Sequence, residues 1–370
     1  MRSLAIAFLG LLFLSACSGT ATTPNAGPTP AANAPTPPSF PRITVYDLTY
    51  ATDLPPVPHG PVLGVASGGE VYFIDSNYGI MRFHNEQFHA LGITLGRSYA
   101  TPEGRAIAGL LALAIDDRNR LYTDATINGA TAYLADVTHP KLATAHRLGS
   151  NGDVTWMGFD LSRTRLFVAE QQGLEAFDDP SSAYPQRAAF MCARPHLPCR
   201  IEMAVEGTDG HVYATSGAQL YELTESLNLV RSIDLRPYVT TCACSIAVSP
   251  RGGIWFAANH GGSRIGYVSP DGAVTTFAPK LTYPASIDLI ATSANGNVWF
   301  VADGEQTVTK IAPNGSTTKY AIDYTNPCGN ASGFCPGNAF IGTYGSATHG
   351  RADTLWYLGA TNLVQIEVGS

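Results

Sequence analysis

A short apolar and aromatic motif recurs seven times along the chain, and this periodicity constrains the fold more than any other feature. Its copies are Val71-Tyr72-Phe73, Leu121-Tyr122-Thr123, Leu166-Phe167-Val168, Val212-Tyr213-Ala214, Ile254-Trp255-Phe256, Val298-Trp299-Phe300 and Leu355-Trp356-Tyr357. Successive copies stand 50, 45, 46, 42, 44 and 57 residues apart. A four-stranded propeller blade needs roughly 40–50 residues, and one blade cannot bury both of its faces alone, so such units stack into a ring. Turn-forming residues precede most copies: Ser67-Gly68-Gly69, Asp116-Asp117-Arg118-Asn119, Thr208-Asp209-Gly210, Ser249-Pro250-Arg251-Gly252 and Ala294-Asn295-Gly296. Further on, Pro270-Asp271-Gly272 and Pro313-Asn314-Gly315 predict tight hairpins in which Asp-Gly and Asn-Gly adopt positive φ. No segment of 42–370 carries an uninterrupted helical period. The expected fold is all-β, a seven-bladed β-propeller. The segment Ile43-Thr44-Val45-Tyr46-Asp47-Leu48 reads as an outer strand, whereas the last unit ends at Leu363-Val364-Gln365-Ile366-Glu367-Val368 with no room for its fourth strand. The N-terminal strand is therefore expected to close the ring in the seventh blade, which leaves no long free sheet edge.

Composition agrees with a globular β protein. With 14% charged and 45% hydrophobic residues, 37 Gly and 25 Pro, disorder, coiled coil and collagen are excluded. A formal charge of −7 with no basic block gives no phosphate-neutralising surface, so nucleic acid is not an expected partner. Ahead of the repeats, 1–17 reads as a signal peptide: Arg2 is its positive region and 4–13 an apolar run of ten, too short to span a bilayer. Leu14-Ser15-Ala16-Cys17 resembles a bacterial lipobox, in which Cys17 becomes the lipidated terminus, and acyl chains there would hold the protein on a membrane. Ser18, in place of Asp, points to the outer membrane, on its periplasmic or surface face. Residues 18–41 contain seven prolines and no charge, the composition of a semi-rigid tether. The domain division expected is thus 1–17, 18–41 and 42–370, in a monomer at the bacterial cell envelope.

Blades five and six carry a more specific wording. Gly253-Ile254-Trp255-Phe256 followed by Ser263-Arg264-Ile265-Gly266-Tyr267-Val268-Ser269-Pro270-Asp271-Gly272 resembles the repeat of the streptogramin B lyase (virginiamycin B lyase) family. Gly296-Asn297-Val298-Trp299-Phe300 with Thr309-Lys310-Ile311-Ala312-Pro313-Asn314-Gly315 repeats it, so the resemblance covers two of seven units. It implies a seven-bladed propeller and, for enzymes of the family, magnesium-assisted elimination that opens a cyclic depsipeptide. Lyase members end the second strand with Glu, as in Trp-Phe-Thr-Glu, and use Glu and His on one face for metal and proton. The corresponding positions here are Asp75, Ala125, Glu170, Ser216, Ala258, Ala302 and Gly359, so only two stay acidic. His260 and Glu170 are the catalytic candidates that the resemblance leaves, with Asp75 and Asp303 as further polar groups for a ligand or a channel cation. Each also reads as a loop residue that merely meets water.

Serine-hydrolase, phosphate-loop and calcium-loop motifs are absent. The regular aromatic of every second strand reads as core rather than a stacking platform. Tyr99, Tyr238, Tyr283 and Tyr324 fall in segments expected to join blades and are candidates for ligand or partner contact. Beyond Cys17, the six cysteines Cys192, Cys199, Cys242, Cys244, Cys328 and Cys335 lie in three interblade connections, an even number suited to disulfides in an oxidising compartment. Cys192–Cys199 and Cys328–Cys335 can close local loops, and exchange of Cys242 and Cys244 with Cys192 and Cys199 is a rival pairing. A four-thiolate zinc site is a third arrangement, although no Cys-x-x-Cys pair is present. The expected function is a lipid-anchored extracytoplasmic propeller that binds a small molecule or envelope protein on its disulfide-stiffened face, with no cofactor assured. The alternative is a magnesium-dependent carbon–oxygen lyase that opens a cyclic depsipeptide or lactone. A scaffold lipoprotein contacting partners through a blade side is a third reading.

Overall fold

The computed structural model describes residues 40–47, 63–75, 78–94, 96–101, 104–138, 143–149, 153–191, 200–239, 242–243, 245–258, 264–281, 287, 290–302, 307–322, 339–343, 354–358 and 362–368, all within the unit Phe40–Ser370. Among them every regular element is a strand, and the strands form seven antiparallel sheets. Blades 1 to 7 take their strands from 63–90, 98–147, 154–191, 203–234, 245–277, 290–321 and 339–367. The inner strands of adjoining blades contact one another, through Gly104–Ile115 in blade 2, and blade 7 returns to blade 1, so the ring is closed. The fold is a seven-bladed β-propeller. The fourth strand of blade 7 is Arg42–Asp47, antiparallel to Asn362–Glu367 with Arg42 opposite Glu367.

All seven motif copies lie on second strands, where strand alternation turns consecutive side chains to opposite neighbours. In blade 3, Leu166 and Val168 join Tyr122 and Tyr133 of blade 2, while Phe167 and Ala169 join Val212 and Ala214 of blade 4. The aromatics Tyr72, Phe73, Tyr122, Phe167, Tyr213, Trp255, Trp299 and Trp356 are all buried, as core between blades. At the closing seam, Tyr46 packs on Phe83 of blade 1 and Trp356 of blade 7, with ring centroids 4.6 and 6.3 Å away. Its hydroxyl donates to Gln365 Oε1 at 3.0 Å.

One turn recurs between first and second strands. The N–H of its fourth residue donates to the C=O of its first, as Gly69 to Ala66, Asn119 to Asp116, Gly210 to Gly207, Gly252 to Ser249 and Gly296 to Ser293. The two outer hairpins use it as well, and there the structure corrects the expected geometry. Gly272 and Gly315 alone are left-handed (φ 91° and 83°), while Asp271 and Asn314 are not. The glycine follows the turn and carries the chain into the next strand, so these are not two-residue loops with paired positive φ.

Antiparallel order divides the loops between two faces of the ring. Turns from first to second and third to fourth strands lie on one, the turn face. Turns from second to third strands and the interblade connections lie on the other, the connection face. Blade 2 departs from the four-strand pattern: Ser98–Thr101 adds a fifth strand inside Gly104–Ile115. Tyr99 therefore lies in a strand and is buried, where the sequence suggested an exposed connection. The first strand of this blade bulges between Ala108 and Leu113, with Leu110 at φ 55°. Buried Asp124 secures the bulge, its Oδ1 accepting the N–H groups of Leu111 (2.6 Å) and Ala112 (3.0 Å).

Candidate functional site

The second strands end on the connection face, and there the positions marked by sequence can be placed. Asp75 ends Val71–Asp75 in blade 1 and Glu170 ends Arg165–Glu170 in blade 3, with blade 2 between them. Neither meets water: Asp75 is 0% and Glu170 1% exposed, which corrects the reading of both as solvated loop residues. Asp75 Oδ1 accepts the Tyr78 N–H at 2.8 Å and so holds the turn to the third strand. Ala125 and Ala302 are buried and Ser216 is half-buried. His260, Asp303, Tyr283, Tyr324, Cys17, Cys192, Cys199, Cys244, Cys328 and Cys335 lie outside the described residues.

Glu170 belongs to a buried acidic seam between blades 2 and 3. Alternation puts it on the sheet face that Leu166 and Val168 turn to blade 2. The cross-strand pairs Val168–Glu175 and Phe177–Arg187 bring Glu175 and Arg187 to that same face. Glu175 Oε1 accepts the Gly149 N–H of blade 2 at 2.8 Å and an N–H of Arg187. A side chain at Gly149 would overlap the guanidinium, its Cβ falling 1.6 Å from Arg187 Nη2, and would displace it from this position. Glu170 has no hydrogen-bond partner for either carboxylate oxygen among the described residues. Burial pushes its pKa from 4.5 up to about 8; the charge of Glu175 adds to the rise and Arg187 opposes it. Burial also raises Glu175, against the Gly149 amide and Arg187. The seam thus divides labour, with Glu175 paired to Arg187 and Glu170, which lacks such a partner among the described residues, keeping a proton at neutral pH.

Among the described residues, groups of three or more acidic, histidine or cysteine side chains close enough to share a metal ion do not include Asp75 or Glu170. Asp75, committed to its turn in another sheet, does not complete a set with Glu170. The described residues of this face do not fit a magnesium site. They do present apolar surface: Tyr78, Ile107, Leu111 and Met191 are exposed large side chains here. Cys242, in the connection between blades 4 and 5, is disulfide-bonded, and nearby Tyr238 is half-buried against the core of those blades.

Two groups escaped the sequence reading. Glu175 and Arg187 are ordinary strand residues whose inward parity is visible only once the register is known. On the turn face, Asp209, His211 and Glu222 of blade 4 converge. The Asp-x-His spacing was available in the sequence, but Glu222 joins it only through the pairing of Tyr213 with Glu222.

Fold and site together define a seven-bladed β-propeller with a buried acidic seam opening toward its connection face. Among solved structures, a streptogramin B lyase matches 89% of this chain and 98% of its own, with a TM-score of 0.63 and 14% identity. The virginiamycin B lyase from Staphylococcus aureus matches with a TM-score of 0.64 at 14% identity, covering 89% of this chain and 99% of that one. An extracellular domain from B. thetaiotaomicron, of a protein assigned as a hybrid two-component system, gives 0.56 at 14%, over 88% of this chain and 41% of that chain. At such identities the likeness is one of fold. No family model and no curated protein matches the chain.

Proposed function

We propose that this protein is a lipid-anchored, extracytoplasmic β-propeller that binds a ligand or an envelope protein through its connection face. The observation that carries this reading is the set of exposed apolar side chains there, Tyr78, Ile107, Leu111 and Met191, on the face that also bears the disulfide-bonded Cys242. Exposed apolar groups beside a disulfide-bonded connection offer a contact surface, while Leu161, Tyr184, Leu229 and Val230 are exposed toward the turn face. The likeness to an extracellular propeller domain supports an address outside the cytoplasm. Lipidation at Cys17 and the 18–41 tether supply the attachment.

The test places a photo-crosslinking amino acid at Ile107 or Met191, and at Tyr184 or Leu161 on the turn face, in the full chain expressed in cells. One discrete adduct from Ile107 and Met191 that is missing from Tyr184 and Leu161 is the expected result. Equal crosslinking from both faces, or none from the connection face, overturns it.

A lyase reading has one observation in its favour, the proton held by buried Glu170 near neutral pH, which suits a group that donates or accepts a proton in elimination. Ring opening of a streptogramin B depsipeptide, followed by mass with added magnesium, would support it if Glu170→Gln abolished turnover. Absence of turnover at high enzyme concentration dismisses it.

A further inference from the structure

We propose that Asp209, His211 and Glu222 form a zinc site on the turn face of blade 4, with a fourth position open to water. Their ligand atoms all lie within 4.8 Å of one another, in the one such group found among the described residues. His211 Nδ1 stands 2.7 Å from Glu222 Oε1 and 3.7 Å from Asp209 Oδ2. Ligands of tetrahedral zinc, at bonds of about 2.0–2.1 Å, are roughly 3.3 Å apart, so these separations bracket what the ion requires.

The surrounding donors aim the ligands. The His211 backbone N–H donates to Asp209 Oδ1 at 3.0 Å, and the Tyr213 hydroxyl donates to Asp209 Oδ2 at 2.8 Å. Arg231 Nε donates to Glu222 Oε2, which leaves Oε1 directed at His211, and Arg231 Nη2 is anchored on the Pro270 carbonyl of blade 5 at 2.8 Å. Outer contacts of this kind hold a metal's ligands in place before it arrives. Asp209 and Glu222 supply two carboxylates, one of them shared with Arg231, and the imidazole nitrogen selects zinc over magnesium or calcium, which favour oxygen throughout. Glu222 is buried, whereas Asp209 is exposed and His211 half-buried, so an ion can enter from solvent and keep a water.

No equivalent forms in blade 1, where Arg82 occupies the Glu222 position opposite Tyr72 and Glu70 meets His84 at 3.2 Å. That makes blade 1 the internal control. The full chain, stripped with chelator, is titrated with zinc chloride alone by calorimetry and with cobalt(II) by visible absorption. One zinc per chain is expected, with intense tetrahedral cobalt bands. His211→Ala should abolish both signals, and Asp209→Asn, which keeps an amide oxygen to accept from the His211 N–H, should weaken zinc binding. Glu70→Gln should leave zinc binding unchanged. Zinc uptake missing from the wild type, uptake unaltered in Asp209→Asn and His211→Ala, or magnesium binding tighter than zinc each overturns the assignment.

Discussion

Replacing Glu170 by Gln gives a stability change whose pH dependence follows from the structure. The Glu170 carboxyl is 1% exposed, and burial moves its pKa from 4.5 to about 8. The folded value exceeds the unfolded one, so below about pH 4.5 both states hold the proton and nothing is lost. As pH rises, only the unfolded chain releases its proton, and stability falls until the folded protein ionises near pH 8. At about 1.4 kcal/mol per pH unit this is a loss of about 3 kcal/mol at pH 7, approaching 5 kcal/mol above pH 8. The glutamine amide matches the neutral carboxyl in shape and stays neutral throughout. Its burial costs about 1–3 kcal/mol at every pH, much as the protonated acid does. The variant should therefore resemble the wild type near pH 4.5 and be more stable by about 3 kcal/mol at pH 7. Urea unfolding followed by the fluorescence of buried Trp156, Trp255, Trp299 and Trp356, stepped from acid to mildly alkaline pH, reads this difference directly. A difference that stays flat through the window refutes the argument that Glu170 carries a proton in the folded state.

Three further outcomes follow from single contacts. Asp124→Ala strips two backbone amides of the blade 2 bulge of their acceptor and should cost about 2–4 kcal/mol, with faster hydrogen exchange at Leu111 and Ala112. Gly79→Ala combines a left-handed φ of 76° with a Cβ placed 1.7 Å from the Ile93 carbonyl oxygen, so it should cost more than about 3 kcal/mol in chemical denaturation. Tyr46→Ala removes a half-buried ring between Phe83 and Trp356 and should cost about 2 kcal/mol, a thermal-unfolding shift that Tyr46→Phe largely spares apart from the Gln365 hydrogen bond.

The ring was legible because each Val-Tyr-Phe or Ile-Trp-Phe copy must bury both of its faces, which ties period to packing. The extra strand of blade 2 was not, since Ser98–Thr101 spans only four residues and its partner reads as one apolar run from Ile107 to Ile115. Val168-Ala169-Glu170 looks like a strand ending in water, and what buries Glu170 is a neighbouring blade in which Gly149 approaches Glu175. Thr208-Asp209-Gly210 reads only as a turn, because the third strand that brings Glu222 to Asp209 and His211 pairs in a register the local sequence does not declare.

The clasp between Arg42–Asp47 and Asn362–Glu367 also sets a schedule for synthesis. Tyr46 and Gln365 are partners 319 residues apart, so the Arg42–Asp47 strand leaves the ribosome and waits without its mate until that whole intervening stretch has been made. Through that interval its backbone edge is open to strangers, a period in which a chaperone or fast export would matter more than for proteins whose neighbours in space are neighbours in sequence. Loss of Asn362–Glu367 would leave Arg42–Asp47 without its strand partner, so damage to the later strand should expose the earlier one as well.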